Sequence, residues 1–386
     1  MSYAEVVIPD EIKNALNKNV EDCNPITLVW QSNYSTDMNF ETLCKKLKFP
    51  DFYGFYTPVN SILMWQNDCF FHNRTHKEFL NSNNKNSLNA WELEKNDTKL
   101  YNRIDDYSYN GEMFFFGNDA EKTNAANPTL SIIPLTQINM KDLPTFISQQ
   151  YTTFLGIKFP NGSKEIGTRQ ESYVLYLARK GIIIDTQKDI LDNQDVFVIT
   201  IKAYNIFAYK DCIFRFYLFP SKNYAIGRLD IMSLNGQLMY QIENSNFIEV
   251  KGKSLYLPRN THVYYYTFGS MGDEISSTIL FKEIYDLKNY SLNKIKQNQF
   301  DLRLVYLTPG TRIADFSLKD TEFGLQYDVP ANPADLDRVI ESALTGKDFT
   351  PTPLPSRAAM IIRWILILAG ISMILYAGYR KFIQKI

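Results

Sequence analysis

Histidine and cysteine are scarce in this chain of 386 residues, with three of the first and four of the second. So few imidazoles leave little material for histidine catalysis. The cysteines, Cys23, Cys44, Cys69 and Cys212, are irregularly spaced, unlike a disulfide-dense secreted scaffold, and reduced thiols are expected. Net charge is lacking too. The 41 basic and 42 acidic residues leave a formal charge of −1, so there is no basic excess to hold a nucleic acid. The N-terminal run Met-Ser-Tyr-Ala-Glu-Val-Val-Ile-Pro-Asp has neither the basic nor the apolar part of a cleaved signal peptide. Ser2 stands where N-myristoylation needs glycine.

Catalytic signatures are also missing. The sequence holds no Gly-x-Ser-x-Gly elbow, no His-Glu-x-x-His, no Walker-type glycine loop and no Rossmann glycine fingerprint. Two acid pairs, Asp105-Asp106 and Asp273-Glu274, offer little. Adjacent side chains in a strand point to opposite faces, and in a loop both are solvated. One run has ligand spacing, Cys69-x-x-His72-x-x-x-His76, but a closed zinc site needs a fourth donor, and Cys23 or Cys44 would have to come from elsewhere. These three are therefore weak metal candidates, expected to be an ordinary thiol and surface histidines. No cofactor and no enzymatic activity are expected.

Aromatic residues, by contrast, are abundant. The 26 Phe and 25 Tyr in an Asn- and Lys-rich chain favour strands and turns over long helices. From Val196 to Phe268 the pattern predicts an antiparallel meander: Val196–Tyr209, Cys212–Phe219, Leu229–Leu234, Gln237–Ile242, Phe247–Val250, Ser254–Leu257 and His262–Phe268. Asn235-Gly236 suits a two-residue type I′ hairpin, and Lys251-Gly252 is a weaker version of that signal. Further strands are expected at Ser172–Leu177, Ser277–Ile284, Leu302–Leu307 and Phe323–Tyr327. Helices are expected around Phe40–Leu47 and from Asp142 to about Leu155. A third, capped by Asn332 and Pro333 and ended by Gly346, carries Leu336, Val339, Ile340, Ala343 and Leu344 on one face. The fold class expected is mainly β, antiparallel and sandwich- or jelly-roll-like, with a few short helices. The divisions expected are a mixed N-terminal region at 1–140, either separate from or continuous with a β-rich core at 141–331, and then the amphipathic helix at 332–346. Core filling accounts for most of the aromatic residues. Tyr264, Tyr265 and Tyr266 are the first candidates for a surface that meets a partner protein.

The chain ends on a different pattern. A proline-rich stalk at 347–357 leads into an apolar run at 358–379 and a basic tail at 380–386. Arg363 edges the run, Trp364, Tyr376 and Tyr379 suit the two interfaces, and Arg380 and Lys381 come after it, so a C-terminal transmembrane helix is expected. Small residues such as Gly370 and Ala377 leave a homo-oligomer open. With no leader, the large domain is expected on the cytosolic side, or facing a capsid shell if the chain is viral. Five Asn-x-Ser/Thr triplets, at Asn33, Asn73, Asn96, Asn161 and Asn289, are expected to be unglycosylated in so Asn-rich a chain. The function expected from this layout is a non-enzymatic, single-pass membrane-anchored structural or docking protein of a virion, linking a lipid bilayer to protein partners of a larger assembly. The alternatives are a cellular tail-anchored adaptor of an organelle membrane and, third, a membrane-tethered enzyme.

Overall fold

The computed structural model describes residues 6–37, 58–67, 69–79, 100–120, 127–134, 155–158, 171–205, 210–266, 275, 278–318 and 324–348. Outside these residues lie the expected helix at 40–47, most of the one at 142–155, nearly all of the stalk, the apolar run 358–379 and the basic tail.

One antiparallel meander is built from β1 (Ile26–Ser35), β2 (Val59–Gln66), β3 (Cys69–Phe79), β4 (Leu100–Tyr109), β5 (Met113–Ala120) and β6 (Thr129–Pro134). A second runs through β9 (Ile182–Leu191), β10 (Gln194–Asn205), β11 (Lys210–Phe219), β12 (Ala225–Met232), β13 (Leu238–Glu249), β14 (Tyr256–Tyr265) and β15 (Phe281–Ser291). The first strand of one pairs antiparallel with the last strand of the other, β1 with β15, and that seam joins them into one sheet. Short strands β16 (Arg312–Asp315) and β17 (Leu325–Asp328) extend the far edge, β16 lying parallel to β6. The result is a 15-stranded open sheet; β7 (Ile157–Lys158) and β8 (Glu171–Ser172) form a small separate pair. The fold is thus mainly β with a few short helices, as expected. It is not a sandwich or jelly-roll. The two-residue alternation marks a buried face in strands such as β1, β2 and β15, but among the described residues that face is covered by helices, chain segments and the small β7–β8 pair.

Helix α1 (Asp10–Asp22) covers part of one face, which we call the inner face. Ile12, Leu16 and Val20 recur every fourth residue, continuing from Ile8, so they form one stripe that is buried with sheet residues such as Leu28, Phe214 and Leu257. Acidic Asp10 and Glu11 in its first turn suit the positive end of the helix dipole. Helix α2 (Tyr173–Lys180) adds Tyr173, Val174 and Leu177 to the same core. This corrects the strand expected at Ser172–Leu177: positions 173, 174 and 177 share a helical face, and only Ser172 remains in β8.

The outer face of the first meander is covered by the chain's later part. Helix α3 (Arg303–Tyr306), where a strand was expected, brings Leu302 and Tyr306 against Phe115, Leu130 and Ile132. Helix α4 (Leu336–Thr345) comes after a short 3-10 turn capped by Asn332, whose side chain accepts from the Ala334 amide, and ends at Gly346 with φ 68°. Its residues Leu336, Val339, Ile340 and Ala343 pack against that outer core, while Leu344 is exposed.

In the second meander the expected strands appear with two mergers. Phe247–Val250 is the far half of β13, and Ser254–Leu257 with His262–Phe268 becomes a single β14 through Tyr265. The Asn235-Gly236 hairpin exists, but Met232 pairs with Leu238 across a five-residue loop, in which the Gly236 amide donates to the Ser233 carbonyl. That replaces the expected two-residue turn.

Candidate functional site

Beside the seam, the inner face holds a recess of about 280 Å³, its open mouth included, lined by Leu28, Trp30, Leu155, Pro258, Arg259, Thr261, Tyr285 and Leu287. Strands β1, β14 and β15 supply all but Leu155. Leu28, Trp30 and Tyr285 belong to the same core as the stripe of α1 and the buried residues of α2, which fixes the recess to the helix-bearing side. No carboxylate, imidazole or thiol lines it. Its polar groups are the Arg259 guanidinium and the Thr261 and Tyr285 hydroxyls. The Thr261 hydroxyl donates to Asn244 Oδ1 at 2.6 Å.

From Trp30 a row of rings crosses the first meander. Trp30 stacks on His72 with centroids 6.3 Å apart, His72 on Tyr107 at 6.1 Å, and Tyr107 on Phe116 at 5.0 Å. The residue of β2 opposite Trp30 is Ser61, fully buried. Its small side chain lets the indole reach across β2 toward β3.

On the other side of the recess lies a buried carboxylate. Tyr265 donates to Glu283 Oε2 at 3.1 Å, and Tyr265 itself stacks on Phe281 at 4.1 Å. Burial pushes the Glu283 carboxyl up, while hydrogen bonds from Tyr285, Tyr34 and Tyr265 and the charge of Arg74 pull it down. Tyr285 therefore connects this cluster to the recess wall.

The residues singled out from sequence fall apart in the structure. Cys69 and His72 are three apart on β3 and so point to opposite faces: Cys69 packs with Ile295 and Phe300 outside, and His72 enters the ring row inside. His72 is buried, contrary to the surface position expected, and the His76 side chain lies outside the described residues. Among the described residues no three His, Cys, Asp or Glu side chains gather as a metal site. Tyr265 is an inner-face residue. Tyr264 and Tyr266 are half-buried on the outer face, where the Tyr264 hydroxyl lies 3.3 Å from His262 Nδ1 and burial, then Glu243, pushes that phenol up to about 12. The partner surface expected at Tyr264–Tyr266 is thus split by strand alternation. Arg363, Trp364, Tyr376, Tyr379, Arg380 and Lys381 lie outside the described residues. Sequence reasoning missed the recess, because its lining comes from residues 28–30, 155, 258–261 and 285–287, which only the seam brings together.

No protein-family model matches the sequence, and no curated protein does. Solved structures do match. A LolA-superfamily protein of Nitrosomonas europaea is 9% identical, with 76% of this chain and 98% of that one covered at a TM-score of 0.36. A domain of an outer-membrane lipoprotein-sorting protein of Vibrio parahaemolyticus is 8% identical, over 77% and 95% of the two chains, at 0.35. A DUF1329-family protein of Desulfovibrio piger is 7% identical, over 76% and 96%, at 0.34. None of the three is a virion or organelle docking protein held by a single span, the kind of protein expected from the sequence. Among the described residues, moreover, no helix is long and apolar enough to cross a membrane. The docking function expected, with its tail-anchored, cytosolic-side placement, is withdrawn.

Proposed function

We propose that this chain is a non-enzymatic binding protein that takes an acyl chain into the recess at the seam of its two meanders. The observation that carries this is the lining. Apolar walls from Leu28, Trp30, Leu155, Pro258 and Leu287 are combined with few polar groups, which is how small-molecule sites are built. The lining holds no pair of groups that could exchange a proton with a substrate, which favours holding over chemistry. Trp30 in the wall provides a built-in reporter.

The test is titration of the purified full-length chain with a fluorescent acyl probe, read by indole quenching and probe emission. Leu287→Trp, which fills the recess from a half-buried position, is expected to weaken binding at least about tenfold while leaving the far-ultraviolet spectrum unchanged. Saturable probe binding that is indifferent to Leu287→Trp would place the ligand elsewhere and refute the assignment.

A further inference from the structure

Arg259 is the one charged group in the recess lining, and it stands exposed at the mouth between Pro258 and Asn260 on β14. Among the described residues no carboxylate forms an ion pair with it, although such pairs are made elsewhere, from Lys13–Asp10 on α1 to Arg338–Asp335 at the start of α4. The other polar groups of the lining are committed: Thr261 donates to Asn244, and Tyr285 serves the buried Glu283. A planar guanidinium is matched by a carboxylate or phosphate, which it can hold through two parallel hydrogen bonds.

We infer that the recess selects a lipid with an anionic headgroup, an acyl chain lying against the half-buried Leu155 and Leu287 and the headgroup meeting Arg259 at the mouth. This rests on the acyl-binding reading above and adds the charge of the ligand. Pro258 fixes the backbone just before Arg259, and the strand pairing of Asn260 with Asp286 holds the other side, so the guanidinium is presented from a rigid base.

The test compares a fatty acid with the alcohol of equal chain length, each displacing a neutral acyl probe from the full-length chain, in wild type and Arg259→Gln at low and high salt. The wild type is expected to prefer the acid by about fivefold at low salt, the upper range for an ion pair at the surface. That preference should vanish in Arg259→Gln and shrink at high salt, while affinity for the alcohol stays the same in both chains. Equal binding of acid and alcohol by the wild type, or an acid preference that survives Arg259→Gln, overturns the inference and leaves acyl binding standing. Failure of both ligands to displace the probe overturns the acyl-binding reading itself.

Discussion

Removing the Tyr306 hydroxyl isolates the contact that pins the later part of the chain to the first meander. Tyr306 donates to Asp106 Oδ2 at 2.9 Å, and Asn73 Nδ2 donates to the other carboxylate oxygen at 2.8 Å. Both ends are buried, with Tyr306 3% and Asp106 5% exposed. Burial pushes the Asp106 carboxyl above its ordinary range, and the hydrogen bonds from Asn73 and Tyr306 only partly offset it. A carboxyl raised in the folded state stabilises folding fully below its unfolded pKa of about 3.9, and that contribution is lost as pH rises through the folded value. Tyr306→Phe should therefore cost different amounts at two pH values. Near pH 4 it removes a bond to a neutral acid, worth about 1 kcal/mol; near pH 8 it removes one to a buried carboxylate, worth about 1.5–3 kcal/mol. Urea unfolding of wild type and variant at both pH values, monitored by tryptophan fluorescence, measures the difference. Asp106→Asn should in turn gain stability relative to wild type as pH rises. A Tyr306→Phe cost that is equal at both pH values, or larger near pH 4, would refute this account of the contact.

Three other perturbations probe the packing and the buried groups. A Cβ at Gly117 would run into ring carbons of Tyr306, so Gly117→Ala is expected to cost about 1–3 kcal/mol of overpacking, and much less in a Tyr306→Ala background when both are measured by urea unfolding. Burial raises the Glu283 carboxyl, so its contribution to stability falls as pH rises; Glu283→Gln should flatten the thermal-melt profile between about pH 4 and 8, and an unchanged slope would count against it. Burial also pushes the Cys23 thiol up, and Cys212 is fully buried. Neither should be alkylated in the native chain at pH 8, while both react after unfolding, as read by peptide mass spectrometry.

Local pattern was legible and layer arrangement was not. Alternating Phe214, Phe216 and Leu218 identified β11, and Asn332 with Gly346 bounded α4, because turn and cap chemistry act within a few residues. The mergers in β13 and β14 went unseen because Asn244-Ser245-Asn246 and Pro258-Arg259-Asn260 have the composition of turns. In the structure Asn244 is buried, with its amide donating to the Ile226 carbonyl, and Asn246 takes a left-handed φ of 53° within a continuing strand. Helix α1 was missed although Ile8, Ile12, Leu16 and Val20 mark it, since Asn14, Asn17 and Asn19 lower the helix propensity between them. What covers a sheet face is a non-local fact that alternation cannot supply.

The recess depends on an irregularity at the seam. Hairpin strands have their register fixed by a turn, but β1 and β15 meet across more than 240 intervening residues and have no such constraint. Val29 pairs with Asn289, yet the next residue, Trp30, pairs with Leu287, leaving Lys288 as the extra residue of a bulge. A regular ladder continuing from Leu28 opposite Tyr290 would set Lys288 opposite Trp30, with Asp286 and Ile284 next in turn on the inner face. The bulge exchanges that set for Leu287, Tyr285 and Glu283. An ammonium group would otherwise face the indole, and the carboxylate that Tyr265 and Tyr285 satisfy would point outward. One unpaired residue therefore determines both the apolar wall of the recess and the buried acid beside it, which is the role bulges have when they re-aim side chains next to a binding site.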